Sequence, residues 1–298
     1  MSGKNMLKTT DIILPDELAD DIFIKPEKGS ILGTLSGAKA QKFGESTIMT
    51  LESRPRAELV GEGEKKSPTG AKFGKRKVLP RKLQVTMRFS DEVMWADEDH
   101  QLDVLSTLAD AGGKALSRAL DLIAFHGINP LTGSRAPSIT EYLGMVSNAA
   151  IAGGKPDIDV ESAAGLVIAE GWMPTGIALD SSFAWKLATA RFDDGRKKFP
   201  ELGLGLDVSR FEGLPSSVSN TVSGRPEIAQ DTGILGIIGD WTTALWGVQR
   251  KVGVKLIEYG DPDGQGDLQR ENEVAMRAEI VYGVGFIDLN AFALIKED

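Results

Sequence analysis

The sequence predicts an α+β fold with mixed connectivity, and three observations lead to it. In the run Leu83-Gln84-Val85-Thr86-Met87-Arg88-Phe89, the apolar residues Leu83, Val85, Met87 and Phe89 alternate with Gln84, Thr86 and Arg88, as in a strand with one buried face. Between Asp99 and Phe125, apolar residues at Leu102, Leu105, Leu108, Ala109, Ala115, Leu116, Ala119, Leu120 and Ile123 recur close to the ~3.6-residue helical period. Beyond that helix, short helical and strand segments alternate to the end of the chain without an internal repeat.

Residues 1–45 read as an extended arm punctuated by Ser, Thr, Lys and Gly. The arm holds one apolar stretch, Asp11-Ile12-Ile13-Leu14-Pro15, and a short helix is predicted from Asp16 to Phe23. Ser46 to Leu51 reads as a strand; with the long loop and the alternating strand after it, it makes a two-stranded projection. The helix from Asp99 to Phe125 follows. Asp97 and Asp99 suit the positive end of its macrodipole, and Gly127 after His126 is a natural stop. Gly112-Gly113 in its middle costs about 1 kcal/mol per glycine relative to alanine, which marks a kink or a close crossing. At ~1.5 Å per residue the helix would span ~40 Å, a girder with the projection attached just before it.

Val160 to Glu170 is predicted helical, Thr175 to Leu179 a strand, and Ser181 to Arg191 a helix capped by Asp180 or Ser181. Gly233-Ile234-Leu235-Gly236-Ile237-Ile238 is short and wholly apolar, a strand buried on both faces. Trp246 to Val248 and Val252 to Ile257 read as two strands, and Asp261 to Asp267 as an exposed turn. Val274 to Phe286 and Ala291 to Ile295 close the chain as strands.

The chain carries a net charge of −9, yet the stretch from Lys65 to Arg88 holds nine Lys or Arg and no Asp or Glu. The remainder is therefore twice as negative as the whole. These cations are Lys65, Lys66, Lys72, Lys75, Arg76, Lys77, Arg81, Lys82 and Arg88, interspersed with Gly and Pro. A basic arm on an acidic body suits an acidic partner, and the nearest such surface is another copy of the chain. The same balance argues against a body that wraps nucleic acid electrostatically.

At 298 residues the chain has room for one large domain or two interleaved ones. The absence of cysteine removes disulfide and thiolate chemistry, and His100 and His126 do not by themselves make a multi-histidine metal site. No apolar run approaches the ~20 residues that span a bilayer, and Met1 to Thr10 lacks the apolar region of a secretory signal.

Enzyme signatures fail one by one. Gly70-Ala71-Lys72-Phe73-Gly74-Lys75 has a phosphate-loop flavour, but its spacing is short and Arg76 stands where Ser or Thr would bind magnesium. Gly203-Leu204-Gly205 continues with no third glycine, and there is no nucleophile elbow. The turn at Asp261 has acidic residues and a glycine at calcium-loop positions, but Gln265 and Asn272 replace later ligands, which favours an acidic hairpin loop. His126 reads as a cationic or hydrogen-bonding residue at a helix end, and Trp241 and Trp246 beside Asp240 as aromatic core rather than a ligand shelf. No nucleophile, base and orienter come together.

The order of parts resembles the major capsid proteins of tailed bacteriophages, the Hong Kong ninety-seven type of shell fold. The resemblance runs from about Ala57 to Lys296. Ala57-Glu58-Leu59-Val60-Gly61-Glu62-Gly63-Glu64-Lys65-Lys66 is similar to the opening of that family's extended loop, and Phe73-Gly74-Lys75 with Val78 to Phe89 to its returning strand. Ser90-Asp91-Glu92-Val93 resembles the entry to its spine helix, and Ala115 to Gly127 the end of that helix. Gly213-Leu214-Pro215 with Val218-Ser219, Gly239-Asp240-Trp241 and Val274 to Ile295 resemble its later strands and turn.

The resemblance implies an N-terminal arm over residues 1–45, an extended hairpin loop with flanking strands over 46–89, and a peripheral domain with the spine helix over 90–135. It further implies an axial domain over 136–245 and peripheral return strands over 246–298. The implied function is a structural subunit of pentamers and hexamers in an icosahedral virion shell around double-stranded phage DNA, assembled in the host cytoplasm. Glu62, Lys65, Lys66, Lys72, Lys75, Arg76, Lys77 and Arg81 become its intersubunit contact residues. The implied partners are other copies, a scaffolding protein, a portal, a decoration protein and DNA held without sequence-specific binding; no enzyme activity, cofactor, metal or membrane is expected. The chain lacks a long N-terminal helical scaffold segment, which assigns scaffolding to a separate protein or a cleaved precursor. Some members of the family cross-link a loop lysine to a neighbour's asparagine. Lys65 or Lys66, Asn272 and the carboxylates Glu271, Glu273 or Glu279 match that pattern only loosely, and no cross-link is expected. An encapsulin-type compartment shell, with the same fold but protein cargo, is the alternative; the cargo-docking helix with which those chains begin is not seen here.

Overall fold

The computed structural model describes residues 7–8, 29–51, 56–70, 72–91, 101–203 and 208–298. In chain order its elements are β1 (Leu7–Lys8), α1 (Ile31–Leu35), β2 (Ser46–Leu51), β3 (Phe73–Ser90), α2 (Gln101–Phe125), β4 (Ala149–Ile151), α3 (Pro156–Ala169) and β5 (Gly176–Leu179). These are followed by α4 (Ser181–Thr189), β6 (Arg210–Phe211), β7 (Leu214–Val218), β8 (Ile234–Gly239), β9 (Ala244–Ile257), α5 (Leu268–Glu271), β10 (Glu273–Phe286) and β11 (Phe292–Lys296). One sheet has the order β1-β3-β10-β9, with β2 pairing β3 off that path. The other has the order β4-β11-β8-β5-β7-β6 and is parallel only at β4–β11 and β5–β7. The mixed α+β architecture is the predicted one.

The alternating run lies in the middle of the first sheet. Register pairs Leu83 with Ile280, Val85 with Ala278, Met87 with Met276 and Phe89 with Val274, so one face is apolar throughout. Helix α2 lies on that face. It runs unbroken through Gly112, where an added Cβ would come 3.5 Å from Met87 Cε and 3.9 Å from the Ala278 Cβ. Of the two readings of the glycine pair, the close crossing is the one observed. The helix stops at Gly127, whose φ of +63° suits a residue without a Cβ. The predicted helix start around Asp97 and Asp99 lies outside the described residues, as does the predicted helix from Asp16 to Phe23.

The main core gathers Leu116, Leu120, Ile123 and Phe125 of α2, Ile280, Tyr282 and Phe286 of β10, and Phe292 and Leu294 of β11. A second core lies on the other side of the second sheet, where Val160, Ala163 and Val167 of α3 and Phe183, Ala184 and Leu187 of α4 meet Leu235 and Ile238. Strand β8 is thus buried on both faces, with Ile237 in one core and Ile238 in the other. Trp241 and Trp246 are core residues, as predicted, with Trp241 edge-on to Phe125 and Phe292. Asp180 caps α4 by accepting from Ser182 N at 2.8 Å.

Two local expectations are corrected. Within the stretch read as an extended arm, residues 29–44 are docked on the body: Ile31 and Leu32 are buried in the main core, and Lys39 N donates to Trp246 O at 2.9 Å. Five helical residues are too short to show a period, so the sequence pattern could not reveal α1. The two strands expected at Trp246 and Val252 are a single strand, β9. Register shifts opposite Glu279/Ile280 and Val281/Tyr282 let it pass through polar Arg250 and Lys251 at the sheet's edge.

Candidate assembly surface

The projection is built by β2 and the first third of β3, paired antiparallel from Ser46–Val78 to Leu51–Phe73. Beyond the paired strands the chain is irregular but braced. Ser67 donates through N and Oγ, each at 2.9 Å, to the Glu58 carboxylate, and Gly61 N donates to Glu64 Oε2 at 2.9 Å. The surface of the projection combines exposed lysines with exposed apolar side chains: Leu59 is 99% exposed, Met49 66% and Phe73 61%.

The nine cations of the basic stretch divide into three groups. Lys65, Lys66, Lys72 and Lys75 are exposed along the projection, as is the predicted contact residue Glu62. Arg76, Lys77 and Arg81, nearer the body, have partners within the chain: Arg76 meets Glu141 at 3.7 Å, Lys77 meets Glu45 at 2.5 Å, and Arg81 Nη2 donates to Ser138 O at 2.6 Å. Lys82 likewise pairs with Glu279 at 2.9 Å. The carboxylates Glu17, Asp20, Asp21, Asp97, Glu98 and Asp99, which the sequence offers as the acidic surface of a neighbouring copy for this basic stretch, lie outside the described residues.

Arg88 is the third group, and its role was not legible in the charge count. Its side chain is 4% exposed and meets Glu273 Oε2 at 2.5 Å, while Nε and Nη2 form a fork onto the Asp263 carboxylate, at 3.1 Å for Nε. Nη2 also donates to Gly266 O at 2.9 Å. The turn that has a calcium loop's acidic residues is therefore folded around a guanidinium, with Asp263 half-buried while Asp261, Gly264, Gln265 and Asp267 are exposed as expected. Burial alone would raise the Asp263 carboxyl, but the Arg88 hydrogen bond and charge, with the Gln265 N–H, hold it below the usual carboxylate range. Glu273 and Glu279 are both committed to cations of their own chain, which leaves them poorly placed as acid–base groups for a lysine–asparagine cross-link.

Helix α2 presents a polar edge to loop 219–228. Arg118 reaches Glu227 with both arms of its fork, at 2.9 and 2.7 Å, and Asn220 Oδ1 at 2.6 Å. His126 Nε2 lies 3.0 Å from Thr221 O, in line with the hydrogen-bonding reading of this residue. Burial pushes the imidazole below its ordinary value of 6.5, against the pull of the Thr221 and Val222 carbonyls. A depressed folded pKa means that this contribution to stability is full above pH 6.5 and is lost as pH falls through the folded value. Thermal unfolding measured at a series of pH values should show a midpoint that drops below pH 6.5, and His126→Asn should flatten that drop.

Among the described residues, no group of three or more His, Cys, Asp or Glu is placed to hold a metal, and no helix is long and apolar enough to cross a membrane.

The sequence model of the phage capsid family matches residues 10–296. The probable major capsid protein gp17 of Mycobacterium phage D29 is 26% identical over 95% of this chain and 89% of its own length. A solved structure from Mycobacterium phage Ogopogo is 48% identical, with a TM-score of 0.84 over 90% of this chain and 92% of its own. Another from Gordonia phage Cozz is 30% identical, with a TM-score of 0.76 over 90% of this chain and 86% of its own. The capsid of a native GTA particle shares the fold at 13% identity, with a TM-score of 0.61 over 100% of this chain and 94% of its own. The family and its phage relatives set aside the encapsulin alternative. The chain belongs to the phage capsid family and is a structural protein of the virion shell.

Proposed function

We propose that the chain packs as pentamers and hexamers of an icosahedral shell around double-stranded DNA, with the projection laid across a neighbouring copy. The projection supports this most directly: it stands on paired strands, displays exposed Met49, Leu59 and Phe73, and carries exposed lysines away from an acidic body. Apolar side chains grouped on a projecting element suit a protein contact, and opposite charge steers its approach. The exposed lysines farther out on the projection are charges offered to the neighbour. In this reading the first sheet with α2 forms the peripheral domain and the second sheet with α3 and α4 the axial domain, which moves β11 from the expected peripheral strands of 246–298 to the axial sheet. Scaffolding protein, portal and decoration protein complete the proposed partners, with assembly in the host cytoplasm.

One exposed ion pair contributes only about 0–1 kcal/mol, so no single lysine decides assembly, but the contact repeats at every subunit. The variant carrying Lys65→Glu, Lys66→Glu, Lys72→Glu and Lys75→Glu should keep the wild-type circular dichroism and unfolding midpoint and yet form no closed shells in electron micrographs. Full-sized particles with undiminished salt tolerance would show that the projection is not an intersubunit clamp.

A further inference from the structure

Asp121, in the middle of the polar edge of α2, is fully buried, and among the described residues no Lys or Arg forms an ion pair with it. Its carboxylate instead accepts four hydrogen bonds. Oδ1 accepts from Leu32 N at 3.1 Å and from Ser30 Oγ; Oδ2 accepts from Ile31 N at 2.9 Å and from Thr221 Oγ1 at 3.1 Å. The first two N–H groups of α1 are thus capped from another helix, while Ser30 Oγ takes the third, from Gly33 N, at 3.1 Å. Three of the four donors belong to segment 29–36 and the fourth to loop 219–228. The same loop is held by α2 at two further points, Arg118 and His126.

We infer that segment 29–36 and loop 219–228 form a single latch, both held by the Asp121 carboxylate, so that releasing either one loosens the other. A buried carboxyl group without a counter-ion is tolerated only while its oxygens are hydrogen-bonded; burial pushes Asp121 above its ordinary value, against the pull of its four donors. Removal of the donor from one side leaves the carboxylate under-satisfied, and it then gains by moving toward water, away from the donors that remain. Of the other ionisable groups on this edge of the helix and in the loop, Arg118 and Glu227 are bonded to each other, and His126 Nε2 lies against Thr221 O. The loop joins β7 to β8 of the second sheet. A shift in the second sheet would therefore be felt at segment 29–36.

Coupling of this kind is reciprocal, which makes it testable from both ends. Hydrogen exchange with mass spectrometry on the full chain would compare Thr221→Val, Thr221→Ser and Ser30→Ala with wild type. Thr221→Val should speed exchange at the Gly33, Thr34 and Ser36 amides by about 5-fold or more, and Ser30→Ala should do the same at Val222, Gly224 and Arg225. Thr221→Ser, which keeps the hydroxyl, should restore wild-type rates. Effects confined to the substituted segment would overturn the latch. So would a Thr221→Ser variant that behaves like Thr221→Val, or a rise that extends equally to β10, the mark of general destabilisation.

Discussion

Replacing Arg88 with methionine is expected to destabilise the subunit by about 3–5 kcal/mol, more than any other single charge change in the basic stretch. The effect comes from what is left behind. Glu273 is 2% exposed at its side chain and would stay buried at the start of β10 without the Arg88 guanidinium. Asp263 would lose both hydrogen bonds of the guanidinium fork, and Gly266 O its donor. Turn 258–267 would then keep Arg277 of β10, which donates to Pro262 O, but lose the guanidinium it is folded around. Denaturant unfolding should report the loss of stability, and limited proteolysis should find new cleavage between residues 258 and 267. Arg88→Lys should recover little, because an ammonium does not reproduce the two-pronged contact with Asp263. Arg88→Met with Glu273→Gln should recover part of the loss by removing the stranded charge. Acid should act on the same cluster: Asp263 is held below its ordinary 3.8, so its contribution is full above that pH and is lost as pH falls through the folded value. An Arg88→Met protein that unfolds at the wild-type denaturant concentration would refute this role.

Trp241→Ala should cost about as much, roughly 3–5 kcal/mol, for a different reason. Trp241 is fully buried where α2 meets the second sheet, with ring centroids 6.1 Å from Phe125 and 5.4 Å from Phe292. Its indole Nε1 makes no hydrogen bond among the described residues, so the loss is one of volume and ring contact rather than of a polar tie. Trp241→Phe should accordingly be the milder variant, retaining an aromatic edge and leaving a smaller cavity. The backbone at this position is held independently, by Trp241 N donating to Thr175 Oγ1 at 2.9 Å and by the Asp240 cap on Thr242 N at 3.0 Å. Calorimetric unfolding of the two variants should separate by at least half of the alanine effect; equal midpoints would mean that the ring packing contributes nothing.

Much of this molecule was determined along the chain itself. Strict alternation from Leu83 to Phe89 and the helical period through Leu116, Leu120 and Ile123 are local patterns, and each places its apolar residues on a face that the fold then covers. The all-apolar run at Ile234, the cap at Asp180 and the stop at Gly127 are local in the same sense, since each depends on a few neighbouring residues and the geometry of the backbone. The family resemblance rested on the order of such pieces.

Tertiary structure alone decided the fate of the charges and the short elements. Lys75 and Arg88 both count as one positive charge in the same basic stretch, yet one is exposed on the projection and the other is enclosed by Asp261, Asp263 and Glu273, carboxylates more than a hundred positions away. Nothing near Arg88 in sequence distinguishes it from its neighbours. Helix α1 is likewise too short to announce itself by period; it is formed by burial of Ile31 and Leu32 and by caps from Asp121, a residue on another helix. Propensity and periodicity act over one or two turns of chain, whereas the worth of a charge or a cap depends on burial and on partners brought together by the fold.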